Sequence, residues 1–157
     1  MDDIDLRILR ILAANGRETH ENIGKTLNLS RPAVHQRVKK LEETGLIKDY
    51  HASVDWGKLG QTINVLIYLK INAVIFQDII NDIIKITVDD TYLEECHRLA
   101  GEWCIMLKIR TISPENLTSY IDQLLKVNGI LGTSTTFILS TIAIPKQKVE
   151  IIKNSNM

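Results

Sequence analysis

The feature that most constrains this chain is a repeated change of apolar spacing after residue 61. A run that alternates apolar and other side chains, typical of a strand, is followed by an amphipathic helix and a second strand, and the same order then recurs. In chain order the predicted segments are strand 62–71, helix 76–85, strand 92–101, strand 103–111, helix 113–126 and strand 131–144. Two strand-helix-strand units in succession predict the split βαβ, ferredoxin-like arrangement.

Both predicted helices place large apolar residues at the spacing i, i+3, i+4, i+7, i+8, which marks the face that packs on the sheet. The inward residues are Phe76, Ile79, Ile80, Ile83 and Ile84 in the first helix, and Leu117, Tyr120, Ile121, Leu124 and Leu125 in the second. Ser113 and Pro114 are a typical cap and first residue for the second helix.

The first fifty residues have helical spacing and three helix-start signals. Asp2 with Asp5 resembles a capping box, Thr19 is a second cap, and Ser30 with Pro32 opens a third helix. The residues expected to point inward from the third helix are Val34, Val38 and Leu41. These short helices, joined by the tight turn LNLS, predict a helix-turn-helix.

The segment LIKDYHASVD after Gly45 has an extended pattern, and we expect either a small wing or the start of a hinge strand there. Gly57 and Gly60 then mark a boundary between domains. The expected fold is α+β: a winged helix-turn-helix domain over 1–50, a hinge strand over 51–61, a ferredoxin-like βαββαβ domain over 62–145 and a tail over 146–157.

Positive charge is concentrated on the third helix, although the whole chain has 19 basic and 19 acidic residues. The segment 31–40 contains four cations, Arg31, Arg37, Lys39 and Lys40, and no acidic residue. Arg31 and Gln36 can make bidentate contacts to guanine and adenine, whereas the other cations suit phosphates. The alternative is an ordinary solvated face, on which Lys39 and Lys40 pair with the acidic residues at 42 and 43.

The face of the sheet that the helices leave open is expected to be partly apolar. Its predicted residues are Leu66, Tyr68, Cys104, Met106, Ser134, Thr136 and Ile138. Either the tail or the N-terminal domain covers this face, or two copies associate sheet against sheet, which is the interpretation that we favour. A dimer would also present two helix-turn-helix domains to palindromic half-sites in DNA.

Composition and motifs argue against other classes of protein. The N-terminus lacks the pattern of a secretory signal, and no apolar run approaches the ~20 residues of a membrane helix, so we expect a cytoplasmic protein without a membrane partner. Cys96 and Cys104 are expected to be free thiols. The four histidines lack metal-ligand spacing, and we find no phosphate-binding loop or catalytic constellation, so we expect no cofactor, no metal and no enzymatic activity.

Three segments have the spacings of a known family. MDDIDLRILRILAANGR looks like L-D-x-x-D-x-x-I-L-x-x-L-x-x-x-G-R with Met1 in place of leucine, and LSRPAVHQRVKKLEETGLIKDY matches every fixed position of L-S-x-x-x-V-x-x-R-V-x-x-L-E-x-x-G-x-I-x-x-Y. ECHRLAGEWCIMLKIRT is similar to E-C-x-x-V-T-G-x-Y-D-Y-L-L-K. Over nearly its whole length the chain therefore resembles the Lrp/AsnC (feast/famine) transcriptional regulators of bacteria and archaea.

The resemblance implies a DNA-binding regulator of amino-acid metabolism that forms dimers, assembles further into tetramers or octamers, and responds to a small effector, often an amino acid. The implied contacts to double-stranded DNA are Ser30, Arg31, Ala33, Gln36, Arg37 and Lys40, and the charge of the helix adds Lys39 as a phosphate contact. The implied effector region is the turn Leu99, Ala100, Gly101, Glu102, Trp103 and Cys104 with the strand residues Thr135, Thr136, Phe137 and Ile138.

The effector turn departs from the family pattern at one position. Cys104 stands where many members have a second aspartate, and a neutral thiol is a poor acceptor for an amino group. A structural role as a small apolar filler is an equal alternative for Cys104. Two other functions stay open: an architectural DNA-wrapping protein with little sequence preference and no amino-acid effector, and a small ferredoxin-like enzyme, for which no residue pattern argues.

Overall fold

The computed structural model describes residues 1–142 of the 157-residue chain. Contacts divide this part into two compact units, Met1–Ser53 and Val54–Ile142. The predicted tail 146–157 and the ends of the fourth strand and of the 62–145 domain, residues 143–145, lie outside the described residues. None of the helices in the described part is long and apolar enough to cross a membrane.

The first unit consists of three helices with the predicted start signals. They are α1, Asp3–Ala14; α2, His20–Leu27; and α3, Arg31–Glu43. The capping box of Asp2 and Asp5 is formed with both hydrogen bonds, and the hydroxyls of Thr19 and Ser30 accept from backbone amides in the first turns of α2 and α3. The buried core residues are Ile8, Leu12, Ile23, Leu27, Val34, Val38 and Leu41. The predicted helix-turn-helix is confirmed.

The turn between α2 and α3 depends on a close approach of two backbone segments. The amide of Leu29 donates to the carbonyl of Gly24 over 2.9 Å, and Asn28 between them has a left-handed conformation with φ 56°. A Cβ atom at position 24 would lie 2.6 Å from the Leu29 carbonyl oxygen. Gly24 therefore permits the tight turn that places α3 against α2.

The expected wing or hinge strand does not form within the described part of this single chain. No strand forms between α3 and residue 62, and the hinge contains a 3-10 helix, Trp56–Leu59, instead. A strand needs a partner strand to satisfy its backbone groups, and residues 48–55 pair with no strand among the described residues. Its chain is bound locally instead, for example by the amide of Ile47, which donates to the carbonyl of Leu41 over 3.1 Å.

The second unit has the predicted order of strands and helices. Its elements are β1, Ile63–Ile71; α4, Phe76–Ile84; β2, Thr91–Arg98; β3, Ile105–Thr111; α5, Pro114–Leu124; and β4, Ile130–Phe137. The strands form one antiparallel sheet in the order β2-β3-β1-β4. This order is that of the ferredoxin-like fold, in which the first strands of the two repeated units are central neighbours.

The core lies between one face of the sheet and the two helices. From the central strands it takes the alternate residues of β1 and β3, which are fully or almost fully buried: Val65, Ile67, Leu69, Ile71, Ile105, Leu107 and Ile109. Ile79 and Ile83 of α4, with Leu117, Tyr120 and Leu124 of α5, cover them. The alternate residues of the strands and the helix residues at 3.6-residue spacing therefore pack against each other in one core layer.

The last residue predicted to point inward from each helix is exposed instead. Ile84 is 64% exposed and Leu125 is 56% exposed, although both were expected to point inward. In each helix this residue lies about 80° around the axis from the first residue of the pattern and at the helix C-terminus, so it passes the edge of the sheet. Three strand limits also differ by two residues or more, because β2 ends at Arg98 rather than 101, β3 begins at Ile105 rather than 103 and β4 ends at Phe137.

The open face of the sheet is more charged than the sequence pattern suggested. Leu66, Tyr68 and Met106 are half-buried there, as expected. The register adds a group of charged side chains from β2 and β3 to the same face, namely Glu94, Glu95, His97, Lys108 and Arg110. Cys104, expected on this face, precedes β3 and packs against core residues.

Candidate DNA-binding helix and effector region

The side of α3 away from the core is polar and accessible. Arg31, Gln36 and Lys40 are exposed, and Ala33 is half-buried. The Ser30 hydroxyl accepts from the Ala33 amide over 3.3 Å, so this hydroxyl already serves as the helix cap. The helix therefore presents its N-terminal turn and its polar face to solvent, as a helix that enters the major groove must.

Arg37 is held inside the unit rather than free on the surface. Its Nη1 lies 2.7 Å from Asp2 Oδ2 and 2.7 Å from Asp5 Oδ1, and its side chain is 31% exposed. These hydrogen bonds raise the pKa of Arg37, and the Asp5 amide, with the Arg37 guanidinium second, lowers the pKa of Asp2. The contacts favour a structural role for Arg37, joining α3 to the start of α1.

The other cations of α3 differ in their partners. Lys39 lies 3.7 Å from Glu43 in an exposed pair one turn apart, as the solvated-face alternative suggested. Glu42 instead accepts from the Tyr50 hydroxyl over 2.9 Å. Within the described part of the chain, Arg31 and Lys40 have no ion-pair partner, so these two cations are available to a polyanion.

A pair of histidines lies beside the polar face and was missed in the sequence. The rings of His20 in α2 and His35 in α3 have their centroids 5.4 Å apart and are tilted by 46°. The two are 15 positions apart in sequence and share no motif, so only the packing of α2 on α3 brings them together. In residues 1–142, no three potential metal-ligating side chains are grouped around an ion-sized site.

The turn from β2 to β3 forms the first part of the predicted effector region. The Leu99 amide donates to the Cys104 carbonyl, and the Cys104 amide to the Leu69 carbonyl, both over 2.8 Å. Gly101 has φ 137°, a conformation that favours glycine. The turn is therefore closed on itself and attached to the end of β1.

The acidic group of this turn has a partner that the sequence pattern did not indicate. Lys70 at the end of β1 places its Nζ 3.0 Å from Glu102 Oε1, and both side chains are about half-exposed or more. The Cys104 thiol donates to the carbonyl oxygens of Gly101 and Glu102 over 3.6 Å each. Glu102, the carboxylate of this turn, is therefore already paired with a cation.

The second part of the predicted effector region lies on the other side of β1. Thr135, Thr136 and Phe137 pair with residues 67, 66 and 65, and the Ile138 amide donates to the Asn64 carbonyl over 2.8 Å. The turn at 99–104 meets β1 at Leu69 from the β3 side. Because β3 and β4 flank β1, two strand spacings, about 10 Å, separate the two parts across the sheet, and the parts are also offset along β1. One chain does not bring them into contact.

Comparisons with known proteins agree with this architecture. The AsnC-type helix-turn-helix domain matches residues 1–42, and the Lrp/AsnC ligand binding domain matches residues 83–147. The HTH-type transcriptional regulator FL11 of Pyrococcus abyssi is 30% identical, with 90% of this chain and 91% of the relative covered. The HTH-type transcriptional regulator LrpC of Bacillus subtilis is 32% identical, with 90% and 94% covered.

Solved structures show the same fold. The B. subtilis LrpC structure superposes with a TM-score of 0.77 at 31% identity and covers 92% of this chain and 99% of that one. The E. coli AsnC structure, at 22% identity, superposes with a TM-score of 0.80 and covers 94% of this chain and 98% of that one. The chain belongs to the Lrp/AsnC family of HTH-type transcriptional regulators.

Proposed function

We propose that this regulator binds double-stranded DNA in the major groove through the exposed face of α3. The observation that carries the proposal is the availability of Arg31 and Lys40, which have no ion-pair partner among the described residues, on a helix that Arg37 fixes to α1. Arg31 and Gln36 would contact base edges, and Lys39 and Lys40 would contact phosphates. Ser30 and Ala33 would place the start of α3 near the backbone.

The ion pairs of Arg37 change the role that we propose for this residue. An arginine that binds two carboxylates must break those bonds before it reaches a phosphate, and the freed carboxylates would then repel the DNA. We therefore propose that Arg37 positions α3 and does not contact DNA.

Selection of duplexes from a random pool, followed by affinity measurements on the selected and a scrambled duplex at equal salt, tests sequence-specific binding. Specific binding predicts a selected site with a cost of about 1–3 kcal/mol per mismatched base pair. Equal affinity for all duplexes would contradict this proposal and support an architectural, DNA-wrapping protein.

We also propose that the second unit associates with a second copy through the open sheet face and that the assembly responds to an amino-acid effector. The half-buried Leu66, Tyr68 and Met106 support association, because an uncovered face of this kind usually packs on another surface. The match to a ligand binding domain supports an effector. The two parts of the predicted effector region, at least about 10 Å apart in one chain, would form a site where copies meet.

In this arrangement, the ammonium group of an amino acid would compete with Lys70 for the Glu102 carboxylate. Lys70→Met should therefore raise the affinity for an amino-acid effector several-fold, whereas Lys85→Met, which removes a similar 3.0 Å ion pair with Asp82 on α4, should leave it unchanged. Light scattering on a sizing column, with each amino acid in turn, reports both assembly mass and effector. No change with any amino acid would contradict an amino-acid effector.

We propose the domain limits 1–50, 51–61, 62–145 and 146–157, and the division of the described chain after residue 53 supports a change of unit within 51–61. As a regulator that acts on DNA, the protein is proposed to work in the cytoplasm, without a membrane partner. Its further assembly, into tetramers or octamers of the proposed dimer, is a question for the same light-scattering experiment.

A further inference from the structure

An almost fully buried arginine lies on the open face of the sheet. Arg110 of β3 has a side chain that is only 7% exposed, and its Nε donates to the carboxylate of Glu94 in β2. Its position in β3 alternates with the core residues Ile109 and Thr111, so its side chain leaves the sheet on the side away from the helices. Something other than the helical layer must therefore cover it.

Two aromatic rings provide that cover. The guanidinium carbon lies 4.0 Å from the ring centroid of Trp56 and 4.8 Å from that of Tyr92. A planar guanidinium can stack on an aromatic face as well as attract it electrostatically, which a lysine ammonium does less well. Among the described residues, Nη1 of Arg110 has no hydrogen-bond partner, so the group is held by Glu94 and by the two rings.

Trp56 has a particular place in the chain. It begins the 3-10 helix Trp56–Leu59, directly after the limit between the two units at residues 53 and 54. The residues just before it, 52–54, make no hydrogen bond or ion pair in the described structure, and Val54 is 42% exposed. Trp56 therefore lies near the start of the second unit, and its ring contacts a residue of the sheet.

We propose that Arg110 is a positioning residue that fixes Trp56 on the sheet and thereby sets the point at which the chain leaves the effector domain toward the DNA-binding unit. This inference rests on the proposed function, in which a dimer presents two helix-turn-helix units to DNA. A fixed exit point limits the positions that each unit can occupy, which raises the effective concentration of the second unit once the first has bound. Arg110 thus favours two half-sites at one spacing without touching DNA.

Substitutions at Trp56 in the full chain separate this role from simple packing. Trp56→Leu keeps apolar bulk but removes the aromatic face, Trp56→Phe restores a smaller one, and Leu59→Ala is the control in the same 3-10 helix, where Leu59 is 65% exposed. We expect Trp56→Leu to weaken binding to a duplex with two half-sites about tenfold and to leave binding to one half-site unchanged. Phe should recover most of the loss, and Leu59→Ala should match the parent.

Equal loss on both duplexes, no loss on either, or a loss that accompanies dissociation of the dimer in light scattering would overturn the proposal, because Arg110 lies on the sheet face that is also the proposed dimer interface. A parent protein that binds two half-sites no more tightly than one would instead refute the dimeric reading of DNA on which the proposal rests. The two failures are therefore distinguishable from the parent alone.

Fluorescence gives a readout that does not depend on DNA. The chain has two tryptophans, so a Trp103→Phe background leaves Trp56 as the reporter. In this background, Arg110→Lys should increase quenching of Trp56 by acrylamide, because the ring loses its stacking partner. Arg98→Lys is the control, since the Arg98 guanidinium in β2 lies 4.3 Å from the ring centroid of Phe76 rather than on Trp56. Unchanged quenching in Arg110→Lys would show that Arg110 does not hold the ring and would overturn the proposal.

Discussion

The guanidinium of Arg37 in α3 lies 2.7 Å from the carboxylate of Asp5 in α1, and the same Nη1 lies 2.7 Å from Asp2. Asp2 and Asp5 also form the capping box of α1, so one group of three side chains both starts α1 and ties it to α3. The acidic residues at the start of the chain therefore neutralise one cation of the basic helix, whereas Arg31 and Lys40 have no ion pair within the described residues.

Loss of this ion-pair group should destabilise the first unit. We expect Arg37→Met to lower the melting temperature by on the order of 3 °C, because partly exposed ion pairs contribute modestly to stability. Arg31→Met removes the same charge from the same helix where no ion pair exists, and it should not change the melting temperature. Thermal unfolding by circular dichroism measures both. A stable Arg37→Met protein with uniformly weaker DNA binding would restore the phosphate-contact interpretation.

The same three side chains predict that the stability of the protein depends on pH in the acidic range. The pKa of Asp2 lies below its ordinary value of 3.8 in the folded protein, chiefly because the Asp5 amide donates to its carboxylate. The stabilisation by ionised Asp2 is therefore complete above that ordinary value and is lost as pH falls through the lower folded value. Asp2→Asn should flatten the fall in unfolding free energy below about pH 4, measured by urea titration.

Asp3→Asn is the matched control for the acid experiment. It removes a carboxylate from the same turn, and Asp3 makes no bond to Arg37. The acid-dependent slope of Asp3→Asn should follow that of the parent protein. An identical slope in Asp2→Asn would show that this carboxylate does not link stability to pH.

A methyl group at position 24 should disturb the turn of the helix-turn-helix. The added Cβ of Gly24→Ala would lie 2.6 Å from the Leu29 carbonyl oxygen, which is backbone and cannot rotate away. We expect destabilisation by about 1–3 kcal/mol, with weaker DNA binding because α3 must shift. Gly45→Ala tests a different cause, since its Cβ meets nothing within 4 Å but φ is 71°. Parent-like stability of Gly24→Ala in urea would show that the turn relaxes freely.

Features encoded by neighbouring residues could be predicted from the sequence, whereas features formed by distant residues could not. The caps at Thr19 and Ser30 need only a hydroxyl and an amide three residues away, and the burial of Ile83 follows from helical spacing. The Arg37 ion pairs join residues 32 and 35 positions apart, and no local pattern marks them. The DNA contact predicted for Arg37 from the sequence therefore did not take these ion pairs into account.

The open sheet face shows the same limit. Alternation along β1 predicted Leu66 and Tyr68 on this face, but the β-bulge between Leu93 and Glu95 in β2 changes which side chains point outward. It is this bulge that allows both Glu94 and Glu95 to meet cations of β3. The contact between Trp56 and Arg110 spans 54 positions and depends on the complete sheet.

Removal of a buried hydroxyl in the second core should not cost stability. Tyr120 is 1% exposed, and its hydroxyl has no hydrogen-bond partner among the described residues. Burial raises the pKa of Tyr120 to about 12 from the ordinary 10.0, so stability should fall as pH rises above 10, where the unfolded chain releases this proton first. Tyr120→Phe should match or exceed the parent by up to about 1 kcal/mol in urea and lose less stability in alkali. A large destabilisation at neutral pH would reveal a bonded hydroxyl.

Arg31 and Lys40 should differ in what they contribute to DNA binding. Both are exposed cations of α3 without an ion pair in the described structure, but Arg31 lies at the N-terminal end, which in the proposed complex faces base edges, and its planar fork matches the acceptors of guanine. Arg31→Ala should therefore weaken binding to the selected site by about 1–3 kcal/mol and relax preference at one base pair. Lys40→Ala should weaken binding to selected and scrambled duplexes alike and reduce the slope of log affinity against log salt by about 1. Titrations at several salt concentrations measure both quantities. If the two variants behaved alike on the two duplexes, the division of α3 into reading and positioning residues would be wrong, and both cations would serve only to attract the phosphate backbone.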